Sequence, residues 1–270
     1  MNAQEWLARA SKSLAERGIE SPLIEARALL AHALSIPPTA LIAHPETPVP
    51  PEADALLQRR LRGEPLAYVL GRKEFAGKEF LVTRDVLIPR PETELVLEEV
   101  LLVAPRGAIC LDLGAGSGCI GISAATARPD TRWVLTDISE PALSVACENA
   151  RALGASVFFA QADALEAFRA QSFHIIACNP PYVAFEDERL DESVRRWEPA
   201  VALFAQDSGL AFLKRLARDV PRTLKPGGTL VIEVGIGQAG VVGSMLAPRF
   251  DLRIRQDYAG VERVVIAALR

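Results

Sequence analysis

From Pro91 to the C-terminus, short apolar runs with strand character alternate with stretches of helical periodicity, and this alternation restricts the chain to an α/β fold. The candidate strands are 108–113, 133–137, 157–160, 175–178, 229–234, 252–256 and 263–268, with helical patterns in the first five gaps. Only Asp257-Tyr258-Ala259-Gly260-Val261-Glu262 separates the last two. Six residues cannot make a parallel crossover, so these two strands must pair antiparallel. Seven strands with helices between the early ones and a closing hairpin describe a doubly wound sheet spanning 91–270.

The segment before it has another character. Trp6, Leu7, Ala10 and Leu14 recur at helical spacing, and Gly18 follows as a stop. Ser21-Pro22 opens a second helix, with Ser as cap and Pro at the first position, and Leu23, Ala26, Leu30 and Leu34 make its apolar stripe. Six prolines between Pro37 and Pro51 break the next stretch into short pieces before a last helix over 51–62. Residues 1–72 therefore read as a small helical domain with eight basic and eight acidic side chains, balanced enough to argue against a nucleic-acid-binding arm. Within a 73–90 linker, Phe75, Gly77, Phe80 and Val82 alternate around a turn and predict a β-hairpin.

Half of the 270 residues are hydrophobic, and the formal charge is −4. That balance argues against a dominant electrostatic grip on nucleic acid. The start Met1-Asn2-Ala3-Gln4-Glu5-Trp6 lacks the pattern of a secretory signal, and every apolar stretch is interrupted before it reaches membrane-span length, so a soluble, cytoplasmic protein is expected. Cys110, Cys119, Cys147 and Cys178 show no paired spacing and fall in apolar segments; they are expected to be buried, reduced thiols, and no metal site is expected.

Chemistry concentrates at strand ends. Asp112-Leu113-Gly114-Ala115-Gly116-Ser117-Gly118 closes the first strand and opens a helix. Glycines at alternate positions permit a tight turn and close approach to a ligand. The dinucleotide fingerprint wants its third glycine one place later, where Cys119 stands. A loop without that pyrophosphate-cradling spacing suits a cofactor that lacks phosphates, and S-adenosyl-L-methionine is one. Asp137 ends the second strand, where a carboxylate can accept both ribose hydroxyls; it could equally serve as a helix-capping acid. Asp163 follows the third strand, where its carboxylate can accept an adenine amino group and the Ala164 N–H can donate to a ring nitrogen; an N-cap role is equally open.

Asn179-Pro180-Pro181-Tyr182 stands after the fourth strand. An amide or exocyclic amine nitrogen is a poor nucleophile because its lone pair is delocalised. Two acceptors, the Asn179 side-chain oxygen and the Pro180 carbonyl, can hold its N–H groups in directions that favour pyramidal nitrogen and expose the lone pair. Pro180 and Pro181 stiffen the backbone carrying these acceptors, and Tyr182 can offer a flat face for stacking. Such a site methylates a planar nitrogen mainly by positioning, without a strong base. The tetrapeptide does not choose between adenine, guanine and a glutamine side chain.

Leu87-Ile88-Pro89-Arg90-Pro91-Glu92-Thr93-Glu94, the glycine loop and Asn179-Pro180-Pro181-Tyr182 together resemble the bacterial peptide chain release factor glutamine methyltransferases. Trp197-Glu198-Pro199, Gly227-Gly228, Glu233-Val234-Gly235 and the closing 257–265 stretch extend the likeness over essentially the whole chain. The resemblance implies a class I S-adenosylmethionine-dependent methyltransferase fold, Rossmann-like, with a small N-terminal helical domain. It implies N5-methylation of the glutamine in the Gly-Gly-Gln tip of class I peptide chain release factors, hence a role in translation termination. It implies that Gly114, Ala115, Gly116, Ser117, Gly118 and Asp137 hold the cofactor, that 179–182 hold the glutamine amide, and that the helical domain meets the release factor. Ala115 replaces a Thr common in the loop, and Ala164 stands where some members carry an aromatic residue. Glu92 and Glu94 fall in a helix's first turn, where carboxylates favour the dipole; direct contact with cofactor or substrate is the other reading. Competing readings are an adenine- or guanine-N-methyltransferase acting on DNA or RNA, a nicotinamide-dependent oxidoreductase, and a cofactor-binding protein without turnover.

Overall fold

The computed structural model describes residues 1–270, which fall into two compact units. The first comprises Met1–Gly71 with Glu192–Trp197, and the second the remainder.

In the first unit, α1 (Ala3–Glu16) starts at a reciprocal cap: Asn2 accepts from the Glu5 N–H, and Glu5 accepts from the Asn2 N–H. Trp6, Ala10 and Leu14, four residues apart, are fully buried on one face. The Trp6 indole nitrogen donates to Asp54 at 2.7 Å and so ties α1 to α4 (Glu52–Leu61). Between them lie α2 (Pro22–Leu34) and the short α3 (Ala40–Ala43). The buried face of α2 is Ala26, Leu29, Leu30 and Ala31, whereas Leu23 is exposed at the first turn, so the predicted stripe holds only from the second turn onward. Pro22 begins the helix as expected, but the Ser21 side chain makes no capping hydrogen bond. A five-residue helix absent from the sequence reading, α5 (Leu66–Leu70), closes the cluster.

In the second unit the hairpin forms as predicted, β1 (Arg72–Phe75) pairing antiparallel with β2 (Lys78–Leu81). Phe75 and Phe80 meet edge to face, 6.1 Å between centroids, in the same core as the main sheet. After a 3-10 turn, Pro91–Thr93, and α6 (Glu94–Val103), the seven predicted strands all appear: β3 (Ile109–Leu113), β4 (Arg132–Asp137), β5 (Val157–Gln161), β6 (Phe173–Cys178), β7 (Leu224–Glu233), β8 (Phe250–Gln256) and β9 (Glu262–Leu269). Their order is β5-β4-β3-β6-β7-β9-β8, parallel from β5 to β7 and antiparallel at β9 and β8.

Helices α7 (Cys119–Ala127) and α8 (Glu140–Ala152) fill the first two gaps. The third gap, between β5 and β6, holds only turns, which corrects the expectation of a helix there. Its eleven intervening positions include Ala164 and Gln171 at positive φ (51° and 53°), a conformation that interrupts a helix. Past β6 come α9 (Glu192–Trp197, in the first unit), α10 (Ala200–Leu203) and α11 (Ala211–Thr223), and α12 (Ala239–Leu246) follows β7.

The continuous apolar runs of the central strands reflect burial on both faces. Along β6, Ile175 and Ala177 enter one core and Ile176 and Cys178 the other; along β9, Val264 and Ile266 oppose Val265 and Ala267. Each of the Ile and Val side chains among them contributes about 1.5–3 kcal/mol through burial. Cys110, Cys119 and Cys178 are buried as small core residues, while Cys147 on α8 is only half-buried. No helix is long and apolar enough to cross a membrane, and no cluster of three or more His, Cys, Asp or Glu could hold a metal ion.

Candidate active site

The parallel strands finish on one edge of the sheet, and β4 and β6 leave β3 on opposite sides there. Ligands of open α/β sheets bind at such a reversal, beyond the carboxyl ends of the strands. A cavity lies at that edge, and its wall includes Gly114, Ala115, Gly116, Ser117, Asp137, Asp163, Ala164, Asn179, Pro180 and Pro181. Ten of the residues singled out from sequence thus meet on one surface.

The glycine loop leaves β3 with φ of +71°, +54° and +80° at Gly114, Gly116 and Gly118, values that L side chains rarely adopt. The Gly114 and Ala115 N–H groups both donate to the Thr136 carbonyl at 2.8 Å, which anchors the loop to the end of β4. Gly118 is not on the cavity wall. A Cβ there would lie 2.6 Å from Ile122 Cδ1, so its glycine serves packing beneath the loop. Asp137 accepts from the Gly116 N–H at 3.0 Å through Oδ2 and from the Ser139 N–H at 2.9 Å through Oδ1. Each carboxylate oxygen has room for a second donor, so the capping and ligand-holding readings of Asp137 are compatible. Asp163 is bound by Arg215 through Oδ1 at 2.7 Å.

The charge on the wall is one-sided. Asp163 is paired with Arg215, and Arg90 is engaged by the buried Glu198, which leaves Asp85 and Asp137 to set the sign of the wall's charge. Glu198 also accepts from the Ile88 N–H at 3.0 Å and so holds the 88–90 segment against the cavity. Such a wall suits a ligand with a cationic centre and disfavours a pyrophosphate. Cys119 and Cys178 also line it, but burial raises both thiols, Cys119 to about 12 and Cys178 well above its usual range, so neither offers a thiolate near neutral pH.

Asn179 sits at the tip of β6. Its Nδ2 donates to Thr93 Oγ1 at 3.0 Å; Thr93 donates to Glu233 Oε2 at 2.6 Å, and the Tyr182 hydroxyl donates to Glu233 Oε1 at 2.7 Å. Tyr182 is therefore tethered by its hydroxyl to the end of β7 and lies outside the wall of this cavity. Burial pushes its phenol well above the usual range, and burial also raises Glu233. Thr93 and Glu233 were not identified as site residues from sequence. The available signal was an acid ending the apolar run Leu230-Val231-Ile232-Glu233. Glu94 accepts from the Ala76 N–H at 3.0 Å, a structural contact with the hairpin, and the Glu92 carbonyl accepts from the Glu94 N–H.

Behind the loop, Asp112 is buried, with Oδ2 accepting from the Gly121 N–H at 2.8 Å and Oδ1 without a partner. Burial pushes this carboxyl up to about 7. Its folded value lies above the unfolded one, so its contribution to stability is complete below about pH 4 and is lost as pH rises through about 7. Asp112→Asn is expected to flatten this part of the profile, narrowing the stability difference between pH 4.5 and 8 by on the order of 3 kcal/mol, as read from urea denaturation of both proteins at the two pH values.

The strand order, the glycine loop and the cavity at the switch point define a methyltransferase-type α/β domain joined to a helical unit. A family model described as the PrmC N-terminal domain matches residues 5–71, and one described as the methyltransferase small domain matches 92–206. The release factor glutamine methyltransferase of Bordetella pertussis is 43% identical over 263 residues, covering 93% of this chain and 96% of that protein. That of Cereibacter sphaeroides is 39% identical over 277 residues, covering 100% and 99%. A methyltransferase from Pyrococcus furiosus shares the fold, with a TM-score of 0.56 at 15% identity over 78% of this chain and 96% of its own. The chain belongs to the release factor glutamine methyltransferases.

Proposed function

We propose that this enzyme transfers a methyl group from S-adenosyl-L-methionine to the side-chain N5 of the glutamine in the Gly-Gly-Gln motif of class I peptide chain release factors, acting in the cytoplasm on translation termination. Asn179 carries this reading: its amide nitrogen is spent on Thr93, which leaves Oδ1 as an acceptor for a substrate N–H.

The residues present fit the cofactor. The carboxylates of Asp85 and Asp137, beside an Arg90 already paired with Glu198, favour a ligand bearing ammonium and sulfonium charges, and Asp137 retains acceptor capacity on both oxygens for ribose hydroxyls. Ile120, Ile138, Ala142 and Phe212 supply apolar wall for a purine, with Asp163 and Ala164 at its edge. When bound, S-adenosylmethionine supplies a methyl group on a cationic sulfur. Asn179 Oδ1 and the Pro180 carbonyl accept the two amide hydrogens, weakening the conjugation that makes a carboxamide nitrogen inert. Pro180 and Pro181 hold these acceptors in place before the substrate arrives. The helical unit, with Leu23, Ile24 and Ile42 exposed, is assigned to recognising the body of the release factor.

Incubation with the cofactor and a release factor is expected to add one methyl to the Gly-Gly-Gln glutamine, read by mass spectrometry of peptides before and after treatment. An unmodified release factor alongside a methylated nucleic acid would replace this reading with a nucleobase N-methyltransferase.

A further inference from the structure

Thr93, Asn179 and Glu233 come from three separate segments, with 86 residues between the first two and 140 between Thr93 and Glu233. Glu233 is 1% exposed and Thr93 2%. A buried carboxylate is stable only where donors satisfy it, and here two hydroxyls do so, one on each oxygen. The polarity of the chain follows from proton counting. A hydroxyl has one proton, and a carboxylate is acceptor-only. With Glu233 ionised, Thr93 gives its proton to it and is left with lone pairs alone. Only the NH2 end of a carboxamide complements a lone pair, so Asn179 must turn Nδ2 toward Thr93 and Oδ1 away from it.

We propose that Glu233, acting through the hydroxyl of Thr93, is the positioning residue that sets which end of the Asn179 amide faces the substrate. The proposal rests on Asn179 Oδ1 being the acceptor for the glutamine amide. Without the relay, the two ends of the Asn179 carboxamide have nearly the same shape, and the flipped form would present NH2 to a substrate NH2. Two donors face to face repel, and the lone pair of the reacting nitrogen is not freed. Neither Thr93 nor Glu233 need touch the substrate for this effect.

Thr93→Val keeps the side-chain shape and removes the acceptor, while Thr93→Ser keeps the hydroxyl. Glu233→Gln replaces one of two acceptor oxygens by a donor, which forces one of the hydroxyl bonds to reverse or break. The experiment measures kcat and KM with a release factor, cofactor affinity by calorimetry, and thermal melting, for these variants and for Asn179→Ala. Thr93→Val and Glu233→Gln are expected to lose roughly 30- to 100-fold in kcat, with cofactor affinity within about threefold of wild type, and Thr93→Ser to stay within about threefold of wild type in kcat. Melting identifies any variant that fails to fold, and Thr93→Ala then stands in for the valine variant. Folded Thr93→Val and Glu233→Gln enzymes that keep wild-type kcat while Asn179→Ala is inactive would overturn the relay. An active Asn179→Ala would instead overturn the reading of Asn179 on which the relay rests.

Discussion

Asn179→Ala is expected to lower kcat by about 10³-fold or more while the melting temperature falls by no more than about 4 °C. The size of the first effect follows from what the side chain does. In the proposed mechanism its Oδ1 is one of two acceptors for the substrate amide, and the other, the Pro180 carbonyl, cannot hold both N–H groups alone. Losing one preorganised partner at a site of developing charge costs about 10²–10³ in rate, and here the same loss also leaves the lone pair conjugated. The second effect is small because Asn179 makes a single hydrogen bond to the protein, worth about 1 kcal/mol. Thr93 keeps its bond to Glu233 when that partner is removed. Initial rates of methyl transfer and a melting curve on the same preparation test both halves. Substantial residual turnover would remove the side chain from the chemistry.

Gly209→Ala is expected to cost about 2–4 kcal/mol of stability and to reduce kcat at least about tenfold in the protein that remains folded. Gly209 lies between α10 and α11 at φ +85°, which already disfavours a side chain. An added Cβ would stand 2.2 Å from the Tyr182 carbonyl oxygen and 2.9 Å from its carbon, well inside contact distance, and the obstacle is backbone that cannot swing aside as a side chain would. That same carbonyl accepts from Gln238 Nε2 at 2.9 Å, and the Gly235 N–H donates to Gln238 Oε1 at 2.9 Å. Glycine at 209 therefore lets the end of β7 and the Asn-Pro-Pro-Tyr segment be held together. Relief of the clash must move the segment that carries Asn179 and Pro180, so activity and stability fall together. Urea denaturation with kcat measured on the folded fraction checks this. A variant of wild-type stability would show that the segment moves freely.

The sheet was legible because its determinants are local. Strands such as β6 announce themselves as apolar runs bounded by turns, and six residues between β8 and β9 leave no route but an antiparallel one. The helix expected between β5 and β6 was not legible as absent, because local pattern does not report that Ala164 and Gln171 adopt positive φ. In α2, periodicity located the helix but not how far its buried face extends, and Leu23 at the first turn stays 46% exposed. The glycine loop, Asp137 and Asn179 were legible as a candidate site because each lies at the end of a strand, and parallel strands bring their ends to one edge by construction.

Residue order alone determined the succession of strands and helices and the edge at which the candidate site residues gather. Each depends on periodicity or on a few adjacent residues. The partners of those groups were decided only when the chain closed on itself. Thr93 lies before the first strand of the main sheet and Glu233 at the end of its fifth, and no spacing rule relates them. The Tyr182 hydroxyl meets Glu233 for the same reason: a buried carboxylate takes whatever donors folding brings within reach, and the cost of leaving it unpaired outweighs local preference.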